Sequence, residues 1–179
     1  MGINDIHSFL FLSHAVGSGQ WWRLLTFPFV HVSWYHLVLD VGAFVYLYSS
    51  IQQKTFDRLG HVIISGAFSL ATACILSPEI NDIGLCGLSG IDHGLMAAAA
   101  LWMIRNKEDR RLGYTFLTLL IAKCVYEMVA GDVFFSSIHL GLCGTPLVAC
   151  HLGGVVGGTI SFFLCRKSDY NTAYSNKIS

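Results

Sequence analysis

Five apolar stretches, separated by short charged or glycine-rich connections, limit this chain more than any other feature. They cover residues 36–51, 60–77, 89–104, 112–130 and 146–165. A helix needs about 20 apolar residues to cross the hydrocarbon core of a bilayer. The first and third stretches are short, and fit only if they start below the bilayer surface in a protein-lined cavity. Composition agrees: 54% of residues are apolar and only 12% charged, against about 25% charge in soluble domains. Mean hydropathy is +0.57. The expected fold is an all-α integral membrane protein of about five transmembrane helices, one domain over residues 1–179. Residues 1–35 would be an N-terminal segment and outer loop, 36–165 the helical core, and 166–179 a cytoplasmic tail. Residues 6–17 are too few and too broken to span, which predicts an interfacial or loop segment.

The connections set the orientation, because lysine and arginine accumulate on the cytoplasmic side. Lys54 and Arg58 lie in one loop, Arg105, Lys107, Arg110 and Arg111 in another, and Arg166, Lys167 and Lys177 in the tail. These segments should be cytoplasmic. The loops at 78–88 and 131–145 hold no lysine or arginine and should face outward. The net charge of zero gives no reason to expect nucleic-acid binding. No signal peptide is evident.

This orientation brings two reactive residues to one depth. Ser89 opens the third stretch, and His151 lies about 8 Å into the last at about 1.5 Å per residue. Ser89 stands between Gly87 and Gly90, but Ile91 occupies the second glycine position of the soluble G-x-S-x-G elbow. What remains is a serine at a helix N-terminus, where unpaired amides can bind an oxyanion, or a small residue at a helix contact. His151 sits among small residues in "VACHLGGVVGGT". An ionisable group inside a span points to function, and a serine needs such a base to become a nucleophile. The alternative is a histidine bonded to a backbone carbonyl. Gly153, Gly154, Gly157 and Gly158 would let this helix pack closely and bring His151 to Ser89.

Other groups gather at the same end. His31, His36 and Asp40 lie near the outer end of the first stretch, with His36 and Asp40 one helical turn apart. No H-E-x-x-H motif or Cys/His ligand pair is present, so no metal and no cofactor is expected. Asp92 follows Ser89 by three positions and could orient His151 or pair with Lys123. Lys123 and Glu127 are spaced to neutralise each other; structural charge pairing is the favoured reading of all three. His93, one turn below Ser89, should pack against His151 rather than take its proton. Cys74, Cys124, Cys150 and Cys165 read as small apolar fillers. The tetrapeptide GLCG occurs at 84–87 and 141–144, each copy in an outer loop before a reactive residue. Cys86 and Cys143 are therefore expected to form a disulfide in an oxidising compartment. Closing a loop of that size stabilises by roughly 3–4 kcal/mol in the chain-entropy model.

Taken in order, these residues resemble the rhomboid intramembrane serine proteases. Trp22-Arg23 resembles that family's outer-loop Trp-Arg. His31 and His36 match H-x4-H-x3-N, with Asp40 at the asparagine position. Gly87-Leu88-Ser89-Gly90 matches G-x-S-G, and Cys150-His151-Leu152-Gly153-Gly154 matches A-H-x2-G with Cys150 replacing alanine. The resemblance implies a rhomboid-like bundle in which Ser89 is the nucleophile and His151 the general base, a dyad with no obligatory acid. His36 and the Ser89 N–H would form the oxyanion hole, with Asp40 beside them. Trp22 and Arg23 would lie in a loop within the outer leaflet. Asp40 departs from the family: ionised, it cannot donate to an oxyanion. It could instead accept from His36 and favour the imidazolium, be protonated, or be merely solvated.

A finer resemblance is to the rhombosortase branch, carried by "CGLSGIDHG", with His93 where other rhomboids often have tyrosine, and by "KCVYE". It implies a bacterial inner-membrane enzyme whose site faces the periplasm or exterior. Its partners would be membrane-anchored proteins with a glycine-rich motif and a C-terminal hydrophobic segment, in the lipid bilayer. Rhomboids carry a span before the Trp-Arg loop, and only 20 residues precede Trp21. The expectation is a late start, a truncation or a five-spanning form, with the N-terminus outside if that span is missing. An inactive binding or chaperone-like protein, and a small transporter using Lys123, Glu127 and Asp92, are the competing functions.

Overall fold

The computed structural model describes residues 7–133 and 147–175, with side chains described as far as Cys165. Among these residues the chain is helical, with an isolated bridge between Phe11 and Leu85 and no strand. In chain order, α1 is Ser13–Gly17, α2 is Arg23–Thr26, and a 3₁₀ turn covers Phe27–Phe29. Then come α3 (Trp34–Ser50), α4 (Thr55–Leu76), α5 (Ile80–Ile83), α6 (Ser89–Arg105), α7 (Arg110–Ala130) and α8 (Ala149–Ser175).

Length and composition let α4 and α7 each cross a membrane alone, and the segment Arg23–Phe29 joined to α3 across a 97° bend makes a third. The protein is an integral membrane protein, with two to three such spans among the described residues. Its polarity is arranged for lipid. On α7, Val129 is 84% exposed while Glu127 is fully buried, and His61, Ser65 and Ser161 are also fully buried. Apolar side chains outside and polar ones inside suit a lipid surround, where ionisable groups face the bundle interior.

The expected stretches correspond to the five long helices, with shifts at their ends. α4 begins at Thr55 rather than at 60, since Arg58 stacks over the Tyr48 ring at 4.8 Å and Asp57 stands in the helix's first turn, where its charge suits the dipole. α6 has 17 residues, roughly 26 Å at about 1.5 Å per residue. It packs against α3, α4, α7 and α8, and so forms the centre of the bundle.

α8 lies between α4 and α6, and its paired glycines explain why it can. Cβ atoms at Gly153 and Gly157 would strike the Phe68 and Ile64 carbonyls of α4. Those at Gly154 and Gly158 would strike the Gly90 and Gly94 carbonyls of α6. One member of each pair thus opens one side of the helix, and backbone meets backbone on both.

Residues 7–17 act as a loop segment with α1 at its end. Phe11 and Leu85 exchange backbone hydrogen bonds of 3.0 Å. The Phe11 and Phe27 rings meet edge to face, in a buried cluster with Ala73, Ile80, Leu147 and Cys150. Arg23 is buried and donates to the Gln20 side chain and to the carbonyls of His7 and Leu10. Trp22 donates to Ser8 O. The Trp-Arg pair thereby ties the N-terminal segment to the loop ahead of α3.

Candidate active site

Ser89 is the first residue of α6, and the turn before it is fixed by Gly87 at φ +88°. That left-handed conformation favours glycine, and space demands it too. A Cβ there would lie 2.6 Å from Asp40 Oδ2 and 3.0 Å from the His36 ring. The close approach lets the Leu88 N–H donate to Asp40 Oδ2 at 2.7 Å.

Asp40 is buried, with His36 Nε2 at 3.3 Å and His31 Nε2 at 3.4 Å from the same oxygen. The His31 and His36 rings meet edge to face at 5.0 Å. Of the alternatives open from sequence, simple solvation of Asp40 does not hold. The carboxylate is an acceptor beneath the loop that carries Ser89, and it faces two imidazoles.

On the other side of Ser89 runs a chain of polar contacts. The Ser89 hydroxyl stands 3.2 Å from His151 Nε2. His151 Nδ1–H donates to Glu127 Oε2 at 2.8 Å, and the Lys123 ammonium donates to Glu127 Oε1 at 2.6 Å. Lys123 also donates to His93 Nε2 at 2.8 Å, and His93 Nδ1–H donates to the Ser89 carbonyl at 2.6 Å. The two imidazoles stack at 4.0 Å with 7° between their planes. Because the ammonium has only protons to offer, His93 Nε2 must accept and its Nδ1 must carry the proton. The helices provide the alignment: α6 carries Ser89 and His93, α7 carries Lys123 and Glu127, and α8 carries His151.

Lys123 pairs with Glu127, as their spacing suggested; Asp92, which could have oriented His151 or paired with Lys123, does neither, and Glu127 is the acid that meets His151. Asp92 is buried, and its Oδ1 has no hydrogen-bond partner among the described residues. The resemblance implies a dyad with no obligatory acid; in this structure a carboxylate also stands 2.8 Å from His151 Nδ1. Gly113, Leu120, Cys124 and Glu127 are the buried positions of α7 and share one face of the helix. Cys143, and with it the Cys86–Cys143 bond, lies outside the described residues.

A second serine–histidine pair was not singled out from sequence. His61 Nδ1 lies 2.6 Å from Ser161 Oγ, and His61 Nε2 lies 2.7 Å from Gln53 Oε1. The rule that a histidine within a span is informative would have found it. His93, Cys124 and Glu127 bring one metal-ligating atom each within 4.8 Å of one another. A metal there would have to displace the Lys123 ammonium, which already bonds two of the three.

The family comparison agrees with this fold. Residues 18–168 match the Rhomboid domain model, so the chain belongs to the rhomboid family. Rhomboid-related protein 3 of Homo sapiens is 25% identical over 162 residues, which is 86% of this chain and 39% of that protein. The chain thus spans about two-fifths of the length of that relative.

Proposed function

We propose that this protein is an intramembrane serine protease in which Ser89 is the nucleophile and His151 the general base. The observation that carries this reading is the 3.2 Å approach of Ser89 Oγ to His151 Nε2 at the N-terminus of α6. Ser89 Oγ attacks the carbonyl carbon of the scissile bond and gives its proton to His151 Nε2. The oxyanion that forms is met by the Ser89 N–H, which has no intrahelical partner at a helix start, and by His36. Support for His36 comes from its ring lying against Gly87. The C–N bond then breaks, and Nε2–H protonates the departing amine. A water molecule gives a proton to His151 as it attacks the acyl group, and Ser89 leaves with that proton. Preorganised donors of this kind are the largest single contribution in many acyl-transfer enzymes.

In this reading α3, α6 and α8 cross the membrane together with α4 and α7, and the site opens on the side away from the Lys/Arg-rich loops. The substrate is a membrane-anchored protein with a C-terminal hydrophobic segment. The stretches "CGLSGIDHG" and "KCVYE" favour the rhombosortase branch, a bacterial inner membrane and a glycine-rich cleavage region. The Cys86–Cys143 bond belongs to the same proposal.

The test is labelling of the membrane-embedded protein by a fluorophosphonate, with the modified residue located by mass spectrometry. Modification of Ser89, lost in Ser89→Ala and His151→Ala at matched expression, is the expected result. Labelling that survives either substitution refutes the mechanism.

A further inference from the structure

Glu127 is fully buried on α7, and among the described residues each of its two oxygens meets a different side chain. Oε2 accepts from His151 Nδ1–H at 2.8 Å, and Oε1 accepts from the Lys123 ammonium at 2.6 Å. We propose that Glu127 is a positioning residue for His151, and that Lys123 and His93 clamp it, so that Ser89, His151 and Glu127 act as an ordered triad. This rests on the reading of Ser89 and His151 given above.

Three physical points carry it. First, the base must present Nε2 as a lone pair to Ser89. Placing the His151 proton on Nδ1, against Glu127, selects that tautomer and fixes the ring's rotation. Second, when Nε2 takes the serine proton, the ring becomes a cation in a site where an unpaired charge is costly. The carboxylate at 2.8 Å meets that charge without itself taking a proton. Third, a buried carboxylate needs its own partner, and Lys123 supplies one from the same helix, four residues earlier. Lys123 also bonds His93 Nε2 at 2.8 Å. This holds His93 in its neutral pattern, donor at Nδ1 and acceptor at Nε2. The ring stacked on His151 at 4.0 Å therefore adds no second positive charge when His151 is protonated.

The proton path balances without Glu127 changing state. One proton moves from Ser89 Oγ to His151 Nε2 and on to the departing amine, while Nδ1–H stays on the histidine throughout.

The experiment compares wild type, Glu127→Gln, Glu127→Asp and the doubly neutral Lys123→Met/Glu127→Gln, all in nanodiscs. The double variant leaves neither charge buried alone, and it keeps the test open if Glu127→Gln does not fold. The first readout is the rate of fluorophosphonate modification of Ser89. The second is the kcat and KM of peptide cleavage. The third needs no catalysis: the proton resonance of His151 Nδ1–H in a Ser89→Ala background. Glu127→Gln should lose about 10²–10⁴ in kcat, the scale set by an amide in place of the acid in a serine triad, with KM nearly unchanged. Its downfield His151 Nδ1–H resonance should disappear. Glu127→Asp should recover part of both, and the double variant should behave as Glu127→Gln does.

A Glu127→Gln rate within twofold of wild type, with the resonance unmoved, overturns the positioning role and leaves Ser89 and His151 standing. A wild-type protein that is never modified at Ser89 overturns the reading itself, and the triad falls with it.

Discussion

Among the described residues the bundle contains two serine–histidine side-chain pairs, and the proposed function assigns reactivity to one of them. Ser89–His151 joins α6 to α8 at a helix start, with Oγ to Nε2 at 3.2 Å. Ser161–His61 joins α8 to α4, with Oγ to Nδ1 at 2.6 Å. By distance alone the second pair is the tighter, so proximity does not make a nucleophile. Ser161 sits mid-helix, fully buried, and its hydroxyl donates to the Gly158 carbonyl at 2.8 Å. That carbonyl competes with His61 Nδ1 for the one hydroxyl proton, so the pair is not arranged as a nucleophile and its base. The partner behind His61 is the Gln53 amide, whereas the partner behind His151 is the Glu127 carboxylate. A reactive pair needs a helix end that leaves amides for an oxyanion and a charge behind the base. A structural pair needs neither.

The comparison breaks most sharply at the serines themselves. Ser89→Ala and His151→Ala should each lower cleavage of a membrane-anchored test substrate by about 10⁴–10⁶-fold, because the two act as a unit. Ser161→Ala should leave the rate per folded molecule within about threefold of wild type, since an intact Ser89 end does not depend on it. Equal losses at both serines would erase the distinction.

His36→Ala should cost about 10²–10³ in kcat, the usual loss for one oxyanion donor, with probe binding retained. An unchanged kcat would remove His36 from the hole and leave the α6 amides as the whole of it.

Gly154→Leu tests how the reactive pair is assembled. A side chain at that position meets the Gly90 carbonyl, one residue beyond the nucleophile, and must push α8 from α6. A misplacement of about 1 Å at the base costs on the order of 10²-fold in rate, and the overpacking should lower thermal stability by about 1–3 kcal/mol. Wild-type kinetics in this variant would mean that the helix approach does not set the geometry.

At the other pair the effect should be on stability alone. His61→Ala leaves Ser161 and Gln53 without their shared partner and should destabilise by about 1–3 kcal/mol, read as a lower unfolding temperature in detergent. The modification rate of Ser89 in the folded fraction should not move.

The smallest effect concerns the loop before Ser89. Burial, with the Asp40 carboxylate as a second cause, pushes the Cys86 thiol up to about 12. Reactivity belongs to the thiolate, and a raised value keeps the thiol protonated at neutral pH. In reduced, folded protein Cys86 should resist iodoacetamide at pH 8 and react only once the chain is denatured, as peptide mass spectrometry would reveal. Rapid alkylation of the folded form would mean that this end is wetter than its packing implies.

What the sequence determined by itself was whatever depends on composition and local spacing. Apolar runs between Lys/Arg-bearing loops define helices and a membrane setting, because transfer to hydrocarbon selects for them residue by residue. The spacing of His36 and Asp40, and of Lys123 and Glu127, placed each pair on one helical face, and the ordered motifs were enough to mark the rhomboid family. What only the tertiary structure decided was which groups on different helices meet. Glu127 and Asp92 look alike in sequence, as acids inside apolar helices, yet one reaches His151 and the other reaches neither His151 nor Lys123. That outcome depends on the rotation of α7 about its axis and on the depth to which the paired glycines of α8 admit α6. Both are properties of packing between helices, and no local pattern encodes them. Asp40 follows the same logic: its place under Leu88 depends on a left-handed turn at Gly87 and on the absence there of a single carbon atom.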